Sequence, residues 1–219
     1  IDLYFDFISP YSWLALERVE EFAAEHRVRF CLVPVVYAVL LDRTGLVGPA
    51  ENPIKREYTF VDVVRTARAM GLSITGPPAH PFRSLEALRL VTRDLAQPHA
   101  IPLAAALARA CWSGGEDLTD LDVLTRVARG VGADTAALAD SLAAPPVKAA
   151  LQDATERALA AGVFGVPTFD WRGELFWGQD RMADLGAALR SGREPITPAE
   201  LRAMLRRPRG ADRRGRPPA

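Results

Sequence analysis

The chain has 219 residues, of which 49% are hydrophobic and 25% are charged, a composition typical of a globular protein with a sizeable core. Its 27 basic and 27 acidic side chains balance, so net charge gives no reason to expect nucleic acid or an anionic membrane as a partner. The first residues are too few and too acidic for a secretory signal, and no apolar run approaches the about 18 residues of a membrane span. The two cysteines lie far apart and form no CxxC pair, and no group of cysteines and histidines has the spacing of metal ligands.

The first 36 residues predict a strand, a helix and a second strand. Residues 1–7 are β-branched, aromatic and apolar, as strands are. Ser9 is a good N-cap and Pro10 suits the first helical position, so we expect a helix from there through His26. Residues 28–36 are almost continuously apolar, which is typical of a strand buried on both faces. This βαβ unit predicts two parallel strands joined by a right-handed crossover.

The segment 37–162 has helical periodicity almost throughout. Pro, Gly and short polar residues punctuate it, and residues 71–80, with two adjacent prolines, indicate a loop. The predicted helices span residues 55–70, 81–96, 101–113, 118–130, 135–143 and 146–161.

After Gly162 the hydrophobic period changes from that of helices to that of strands. The sequence predicts a β-hairpin with strands 166–171 and 174–177 around an Arg-Gly turn. Two helices are then expected, over residues 181–190 and 195–207.

A βαβ unit followed by a ββα unit is the ground plan of the thioredoxin-like fold, which belongs to the α/β class. The helix-rich middle is typical of the DsbA-like branch of this fold, which carries a large all-helical insertion. We therefore predict a discontinuous thioredoxin-like domain of residues 1–36 and 163–191, a helical insertion domain of residues 37–162, and a C-terminal extension of residues 192–219. The end of this extension is rich in arginine, which indicates either a solvated basic tail or an electrostatic contact with a partner or polyanion.

In thioredoxin-like folds the active site lies at the start of the first helix. Here the chain reads Ser-Pro-Tyr-Ser from Ser9 to Ser12, with serines where a redox enzyme carries cysteines. Without sulfur at these positions, the site cannot exchange a disulfide of its own. Cys31 and Cys111 lie in apolar runs, and we predict that both are buried as small hydrophobic side chains.

Four blocks of the sequence carry a resemblance to known proteins. They are YFDFISPYSWL (residues 4–14), KREY (55–58) followed by Asp62, Arg65 and Ala67, GVFGVPTF (162–169), and FWGQDR (176–181). In order and separation they resemble the kappa-class glutathione transferases and the bacterial 2-hydroxychromene-2-carboxylate isomerases. The blocks span most of residues 1–190, and the run between Tyr37 and Lys55 is shorter than in kappa-class proteins.

The resemblance implies that glutathione is the cofactor and that Ser9 is the catalytic residue, which holds the glutathione sulfur as a thiolate. The start of a helix presents unpaired N–H groups and a partial positive charge, and both lower the pKa of a thiol placed there. A serine hydroxyl can donate a hydrogen bond to the same anion. Taken without the other blocks, Ser9 is only an N-cap, and Ser12 is a packing or capping residue.

The resemblance also assigns a set of glutathione-binding residues. These are Ser9, Pro10, Tyr11, Asn52, Lys55, Val166, Pro167, Gln179 and Asp180. Val166-Pro167 matches the cis-proline loop of this fold, whose backbone is expected to pair with the cysteinyl part of glutathione as an added strand would. Gln179-Asp180 matches the γ-glutamyl site, where kappa-class proteins often have Ser in place of Gln. Two simpler interpretations stay open, Asp180 as an N-cap and Lys55 as a solvated lysine of a first helical turn.

Aromatic side chains offer candidates for a substrate pocket. Trp13, Tyr37 and Phe60 are the candidates, and aromatic residues at such spacing are also typical of a core. The three histidines of the chain, His80 among them, have no partner pattern, and we predict them at the surface.

The resemblance implies a glutathione-dependent isomerase of the 2-hydroxychromene-2-carboxylate type, active in the breakdown of aromatic compounds, which returns glutathione unchanged. The expected substrate is a small aromatic or chromene carboxylate, with Lys55 as a cation for its carboxylate. Two alternatives stay open: a kappa-like glutathione transferase or peroxidase, and a non-catalytic DsbA-like binding protein that has lost its cysteines. We expect a homodimer in the cytoplasm, with no metal, nucleic acid or membrane as a partner.

Overall fold

The computed structural model describes residues 1–207, which are built around a mixed sheet of four strands. The strands are β1 Asp2–Phe5, β2 Cys31–Pro34, β3 Thr168–Trp171 and β4 Glu174–Trp177, in the order β2-β1-β3-β4. β1 runs parallel to β2, with Leu3 opposite Leu32, and antiparallel to β3, with Leu3 opposite Phe169. β3 and β4 form the predicted antiparallel hairpin. The thioredoxin-like α/β fold is therefore confirmed.

Helices cover the sheet and make up most of the rest of the described chain. They are α1 Pro10–Leu16, α2 Val19–His26, α3 Tyr37–Thr44, α4 Pro53–Ala69, α5 Leu85–Asp94, α6 Ala100–Trp112, α7 Leu121–Gly130, α8 Leu138–Ala143, α9 Pro145–Ala160, α10 Met182–Ser191 and α11 Arg202–Leu205. Short 3₁₀ turns at Pro49–Glu51 and Gln179–Arg181 precede α4 and α10. Within residues 1–207, none of these helices combines the length and the apolar character that a membrane span requires.

α3 is missing from the predicted helices, α5 begins later than predicted, and two further helices differ more strongly. The first helix, expected to continue to His26, is broken into α1 and α2, because the Arg18 N–H reaches back only three residues to the Ala15 carbonyl, at 3.0 Å, and tightens the chain. In the C-terminal extension, the helix predicted over residues 195–207 is confined to α11. The arginine-rich end of that extension lies outside the described residues.

β2 is shorter and more exposed than its apolar sequence predicts. It lies at the edge of the sheet, where Leu32 and Pro34 are buried, Val33 is half-buried and Cys31 is exposed. Successive side chains of a strand point to opposite faces, and an edge strand has a neighbour on one side only. The prediction that Cys31 is buried is therefore wrong, whereas Cys111 is buried as predicted. Leu32 lies in the main hydrophobic cluster and Val33 packs against a second one, so the prediction of burial on both faces holds for the middle of the strand.

One hydrophobic core joins the sheet to the helical insertion. Leu3 and Phe5 of β1 belong to the same cluster as Leu103 and Leu107 of α6, and all four are fully buried. Burial of each side chain of this size contributes about 1.5–3 kcal/mol. Trp13 is also fully buried in this cluster, so it is a core residue and not part of a substrate pocket.

An ion pair fixes α6 of the insertion against α1. The Glu17 carboxylate accepts a hydrogen bond from the Trp13 indole at 2.9 Å, and two from Arg109, at 3.0 and 2.5 Å. Only 7% of the Glu17 side chain is exposed. Because paired hydrogen bonds between guanidinium and carboxylate have a defined geometry, this contact adds a specific polar link between the end of α1 and α6.

A second buried ion pair holds α5 and the start of α6 together. Asp94 is 6% exposed, accepts hydrogen bonds from Arg93 at 2.6 and 3.0 Å, and lies 3.0 Å from Nε2 of His99. Arg93 extends the network to the hydroxyl of Ser141 at 3.1 Å and the carbonyl of Asp134 at 2.8 Å. Burial acts to raise the pKa of Asp94, but the hydrogen bonds from Arg93 and His99 outweigh burial, so the pKa lies below its ordinary value.

We expect the Asp94→Asn substitution to destabilise the protein by about 3 kcal/mol, because it leaves the Arg93 guanidinium without its buried counter-charge. Since the pKa of Asp94 is lowered in the folded state, its stabilisation is present above the ordinary carboxyl pKa and is lost as the pH falls through the folded-state value. Urea unfolding at neutral and acidic pH measures this difference, with Asp122→Asn at an exposed position as the control. A difference in unfolding free energy that stays constant on acidification contradicts the assignment.

Candidate active site

Ser9 caps the N-terminus of α1. Its backbone is extended, with φ −91° and ψ 119°, its Oγ accepts the Ser12 N–H at 3.3 Å, and Pro10 starts the helix. The same hydroxyl donates to the carbonyl oxygen of Val166 at 3.2 Å. Ser9 is 9% exposed. The hydroxyl is therefore both a helix cap and a donor directed at the loop across from it.

The loop that faces Ser9 joins α9 to β3. Its Val166–Pro167 peptide bond is cis. The Pro167 carbonyl accepts the Gly178 N–H at 2.9 Å, which ties the loop to the end of β4. Gly165 is needed because a Cβ at that position would collide with the Trp177 indole. Backbone contacts thus hold this loop between Ser9 and the last strand.

Ser9 and this loop lie on a cleft of about 760 Å³. The volume falls within the about 300–1,000 Å³ of small-molecule sites. Both parts of the fold contribute to the lining, which includes Val166, Pro167, Gly178, Gln179 and Asp180 from the thioredoxin-like part and Tyr37, Arg56, Thr59, Phe60 and His80 from the insertion.

The structure brings seven of the nine predicted binding residues to this cleft. They are Ser9, Pro10, Tyr11, Val166, Pro167, Gln179 and Asp180. Asn52 and Lys55 are not in the lining: the Asn52 side chain accepts the Lys55 N–H at 3.1 Å and so caps α4, and the Lys55 side chain is exposed. The next residue of the helix, Arg56, lines the cleft instead.

Tyr11 is tied to α4 through a carboxylate. Its hydroxyl donates to Asp62 at 3.0 Å, and Arg65 donates to the other oxygen of Asp62 at 2.9 Å. Burial raises the pKa of Tyr11, and the hydrogen bond to the Asp62 carboxylate raises it further. The Tyr11 side chain is therefore neutral, and its hydroxyl donates its proton in the hydrogen bond to Asp62.

The 3₁₀ turn before α10 places an amide and a carboxylate on the cleft. Gln179 is 8% exposed, and within residues 1–207 its side-chain amide has no hydrogen-bond partner. Asp180 is exposed and pairs with Arg181 at 2.7 Å, and Arg181 also pairs with Asp184 at 2.6 Å. The amide of Gln179 is thus a nearly buried polar group available to a ligand.

His80 forms part of the lining from the insertion side. Its Nε2–H donates to the Ile8 carbonyl at 3.0 Å, and its ring lies edge-on to Phe60 and Trp112, with centroids 5.4 and 5.5 Å away. Burial lowers the pKa of His80, and the neighbouring Arg56 acts in the same direction against the Ile8 hydrogen bond. The imidazole is therefore held neutral against the backbone that leads into Ser9.

The prediction that the three histidines lie at the surface is wrong. The side chains of His26 and His99 are 6% and 18% exposed, and His80 is half-buried. The contact of His80 with Ile8 spans 72 residues. No local sequence pattern reports such a contact, which explains why sequence analysis missed His80 and its neighbour Arg56.

A buried carboxylate holds the backbone before Ser9. Asp6 is 2% exposed and accepts hydrogen bonds from the Ile8 N–H at 3.1 Å, the Tyr37 N–H at 2.9 Å and the Ser84 hydroxyl at 2.5 Å. Burial raises the pKa of Asp6, and the three donors act against burial by favouring the ionised form. Asp6 thus joins the end of β1 to the starts of α3 and α5.

Neither cysteine lies at the cleft. Cys31 is exposed on the edge strand, and Cys111 is buried in α6, where burial raises the pKa of its thiol to about 12. A thiol with such a pKa stays protonated and unreactive near neutral pH. At the start of α1, where a redox enzyme of this fold carries a cysteine, this chain therefore presents the Ser9 hydroxyl.

This sheet, its helical insertion and its serine site define a thioredoxin-fold protein without a redox cysteine pair. The family model described as the DSBA-like thioredoxin domain matches residues 1–190, and the chain belongs to this family.

Similar proteins narrow the class further. The chain is 29% identical over 193 residues to the 2-hydroxychromene-2-carboxylate isomerase of Pseudomonas putida. The matched region covers 86% of this chain and 93% of that protein. The chain is 28% identical over 214 residues to human glutathione S-transferase kappa 1, covering 91% and 95% of the two chains. A solved 2-hydroxychromene-2-carboxylate isomerase superposes with a TM-score of 0.81 at 25% identity, over 93% of this chain and 98% of that one. The resemblance to these two groups is confirmed, and with it the expectation of an enzyme.

The thiol assignments predict how the protein reacts with an aromatic disulfide reagent. In the native protein we expect one thiol equivalent to react quickly, because Cys31 is exposed, while Cys111 reacts only after unfolding. The Cys31→Ser variant, as the control, should show no fast equivalent. Two fast equivalents in the native wild type contradict the burial of Cys111.

Proposed function

We propose that the chain is a glutathione-dependent isomerase of the 2-hydroxychromene-2-carboxylate type, in which Ser9 stabilises the glutathione thiolate. The observation that carries this proposal is the Ser9 hydroxyl at the start of α1, directed at the Val166 backbone in a cleft that holds no thiol of the chain. The isomerase relatives from three bacteria, at 28–29% identity, support the reaction type.

The polar groups of the cleft fit glutathione. The Tyr11 N–H, in the first turn of α1, has no acceptor within residues 1–207, as expected of an amide at a helix start. The nearly buried Gln179 amide also has its hydrogen bonds unmade. A peptide-like anion with a sulfur at one point and polar ends satisfies these groups. When bound, glutathione supplies the nucleophilic thiolate, which the chain lacks.

Ser9 stabilises negative charge at the start of α1. Its bond to the Val166 carbonyl, at 3.2 Å, is long for an O–H···O hydrogen bond. A charged acceptor forms a shorter and stronger bond, so an anionic sulfur is expected to replace the carbonyl as the acceptor of this proton. The partial positive charge of the helix start favours the same anion. Ser9 therefore lowers the pKa of a bound thiol and needs no general base to do so.

The other binding residues are assigned to separate parts of glutathione. The Val166 backbone is proposed to pair with the cysteinyl backbone as an added strand would. Asp180 is proposed to hold the γ-glutamyl ammonium, beside the Gln179 amide, since its carboxylate is exposed on the cleft. Asn52 and Lys55, next to the lining residues at the start of α4, stay candidates for the outer part of the ligand.

A kappa-like glutathione transferase or peroxidase is the second candidate. The similarity to human glutathione S-transferase kappa 1 over 91% of the chain favours it. This activity uses the same Ser9 site and differs in that glutathione is consumed. The fate of glutathione therefore separates the two candidates.

We also infer a homodimer in the cytoplasm, the compartment in which glutathione is abundant. Ile54, Tyr58 and Val61 of α4 are 82%, 63% and 50% exposed. Their spacing of four and three residues places them on one face of the helix. An apolar face of this kind is expected to be covered, and a second copy of the chain agrees with the resemblance.

With 2-hydroxychromene-2-carboxylate and a catalytic amount of glutathione, we expect isomerisation with recovery of all the glutathione. The Ser9→Ala variant should lose about 10- to 100-fold in kcat/KM, because it lacks one hydrogen bond to a charged sulfur. Ser191→Ala, which removes a hydroxyl bonded to the Ala188 carbonyl outside the cleft, is the matched control and should keep the wild-type rate.

Absorbance follows the isomerisation, and mass spectrometry follows the glutathione. Stoichiometric conversion of glutathione to a conjugate or disulfide would establish the second candidate. An isomerisation rate that is the same with and without glutathione would rule out both.

A further inference from the structure

The charged groups that line the cleft are mostly paired within the protein. Arg181 lies between Asp180 and Asp184, at 2.7 and 2.6 Å. Asp62 is bound by Arg65 at 2.9 Å. These carboxylates offset the charge of Arg181 and Arg65, so a cation without such a partner decides which anion the cleft prefers.

Arg56 is such a cation. Within residues 1–207 no carboxylate lies at ion-pair distance from it, although Glu51 is also in the lining, where its carboxylate accepts the Gly48 N–H at 2.8 Å. The Arg56 guanidinium stands over the Phe60 ring at 5.1 Å and donates to the carbonyl of His80 at 3.4 Å. The planar guanidinium holds its remaining N–H donors in one plane, the arrangement that binds a carboxylate with two hydrogen bonds.

The surroundings of Arg56 are aromatic. Phe60 packs edge-on against His80 with ring centroids 5.4 Å apart, and both line the cleft. Because His80 is neutral and donates to the carbonyl of Ile8, this aromatic wall adjoins the residue before Ser9. A flat ring with a carboxylate therefore finds an apolar face and a cation side by side, next to the proposed site of the thiolate.

We propose that Arg56 is the specificity-determining residue that selects substrates in which a carboxylate stands beside an aromatic ring. The assignment rests on the proposed function and deepens it, since it names the group that recognises the second substrate at the same cleft. Glutathione also carries carboxylates. The aromatic wall around Arg56 favours the aromatic substrate, whereas the polar Gln179 and Asp180 lie in the part of the lining assigned to glutathione.

The test compares 2-naphthoate with 2-naphthamide, which has the same ring without the charge, as ligands in calorimetry. The proteins are the wild type, Arg56→Gln, Arg56→Lys and the control Arg68→Gln, which changes an exposed arginine of the same helix outside the cleft. We expect Arg56→Gln to weaken 2-naphthoate binding by about 10- to 100-fold, the loss typical of a hydrogen bond to a charged group, and to leave 2-naphthamide unchanged. Arg56→Lys should retain part of the preference, and Arg68→Gln all of it.

The glutathione affinity of the same four proteins shows whether Arg56 binds a carboxylate of glutathione or the carboxylate of the aromatic ligand. Under the proposal it changes by less than about twofold in Arg56→Gln, a difference within the spread of surface substitutions. A loss of glutathione affinity with an unchanged preference for 2-naphthoate would move Arg56 to the glutathione site and overturn the proposal. Equal affinity of the wild type for 2-naphthoate and 2-naphthamide, or no binding of either, would also overturn it.

The two proposals fail in different ways. If the wild type binds 2-naphthoate through Arg56 but does not bind glutathione, the specificity assignment stands and the glutathione-dependent function fails. If turnover needs glutathione and Ser9 but Arg56→Gln keeps the wild-type kcat/KM for the carboxylate substrate, the function stands and the role of Arg56 fails.

Discussion

The position of Ser9 depends on one buried carboxyl group, that of Asp6, directly after β1. It accepts hydrogen bonds from the active-site loop and from the starts of α3 and α5, so the loop cannot shift without leaving a buried carboxyl group short of donors. The carbonyls of the same loop are also bonded, one by the Trp112 indole at 2.9 Å and the next, that of Ile8, by His80. All but one of these partners belong to the helical insertion. The insertion therefore acts as the support of the active-site loop and is not an appendage to the thioredoxin-like sheet.

Serine in place of the active-site cysteines removes disulfide exchange by the chain itself. The positive electrostatic environment at the start of the helix is retained. The helix start and the facing loop at Val166 still form an environment suited to an anionic sulfur. Because the chain has no thiol there, we infer that a bound molecule supplies the sulfur. The cleft has the volume of a small-molecule site, and its lining includes both the polar turn at Gln179 and the aromatic pair of Phe60 and His80. Such a lining suits one polar and one aromatic ligand.

Local signals in the sequence predicted most of the fold and the centre of the site. The N-cap at Ser9, the hairpin after Val166 and the helical periods of the insertion depend on neighbouring residues, and the structure has them. Exposure and long-range contacts were harder to predict: Cys31 is exposed because β2 has no outer neighbour, which its apolar run does not reveal. Arg56 and His80 enter the cleft because α4 and the following loop fold back over α1, and no spacing within either segment encodes that contact.

Under the proposed function, Ser9 lowers the pKa of a thiol bound at the start of α1. Titration of the thiolate absorbance of bound glutathione, in the wild type and in Ser9→Ala, measures this effect. We expect the wild type to hold the thiol pKa below that of free glutathione, and the variant to raise it by about one to two pH units, the equivalent of one hydrogen bond to a charged group. The same thiol pKa in both proteins, with glutathione bound to each, would contradict the claim.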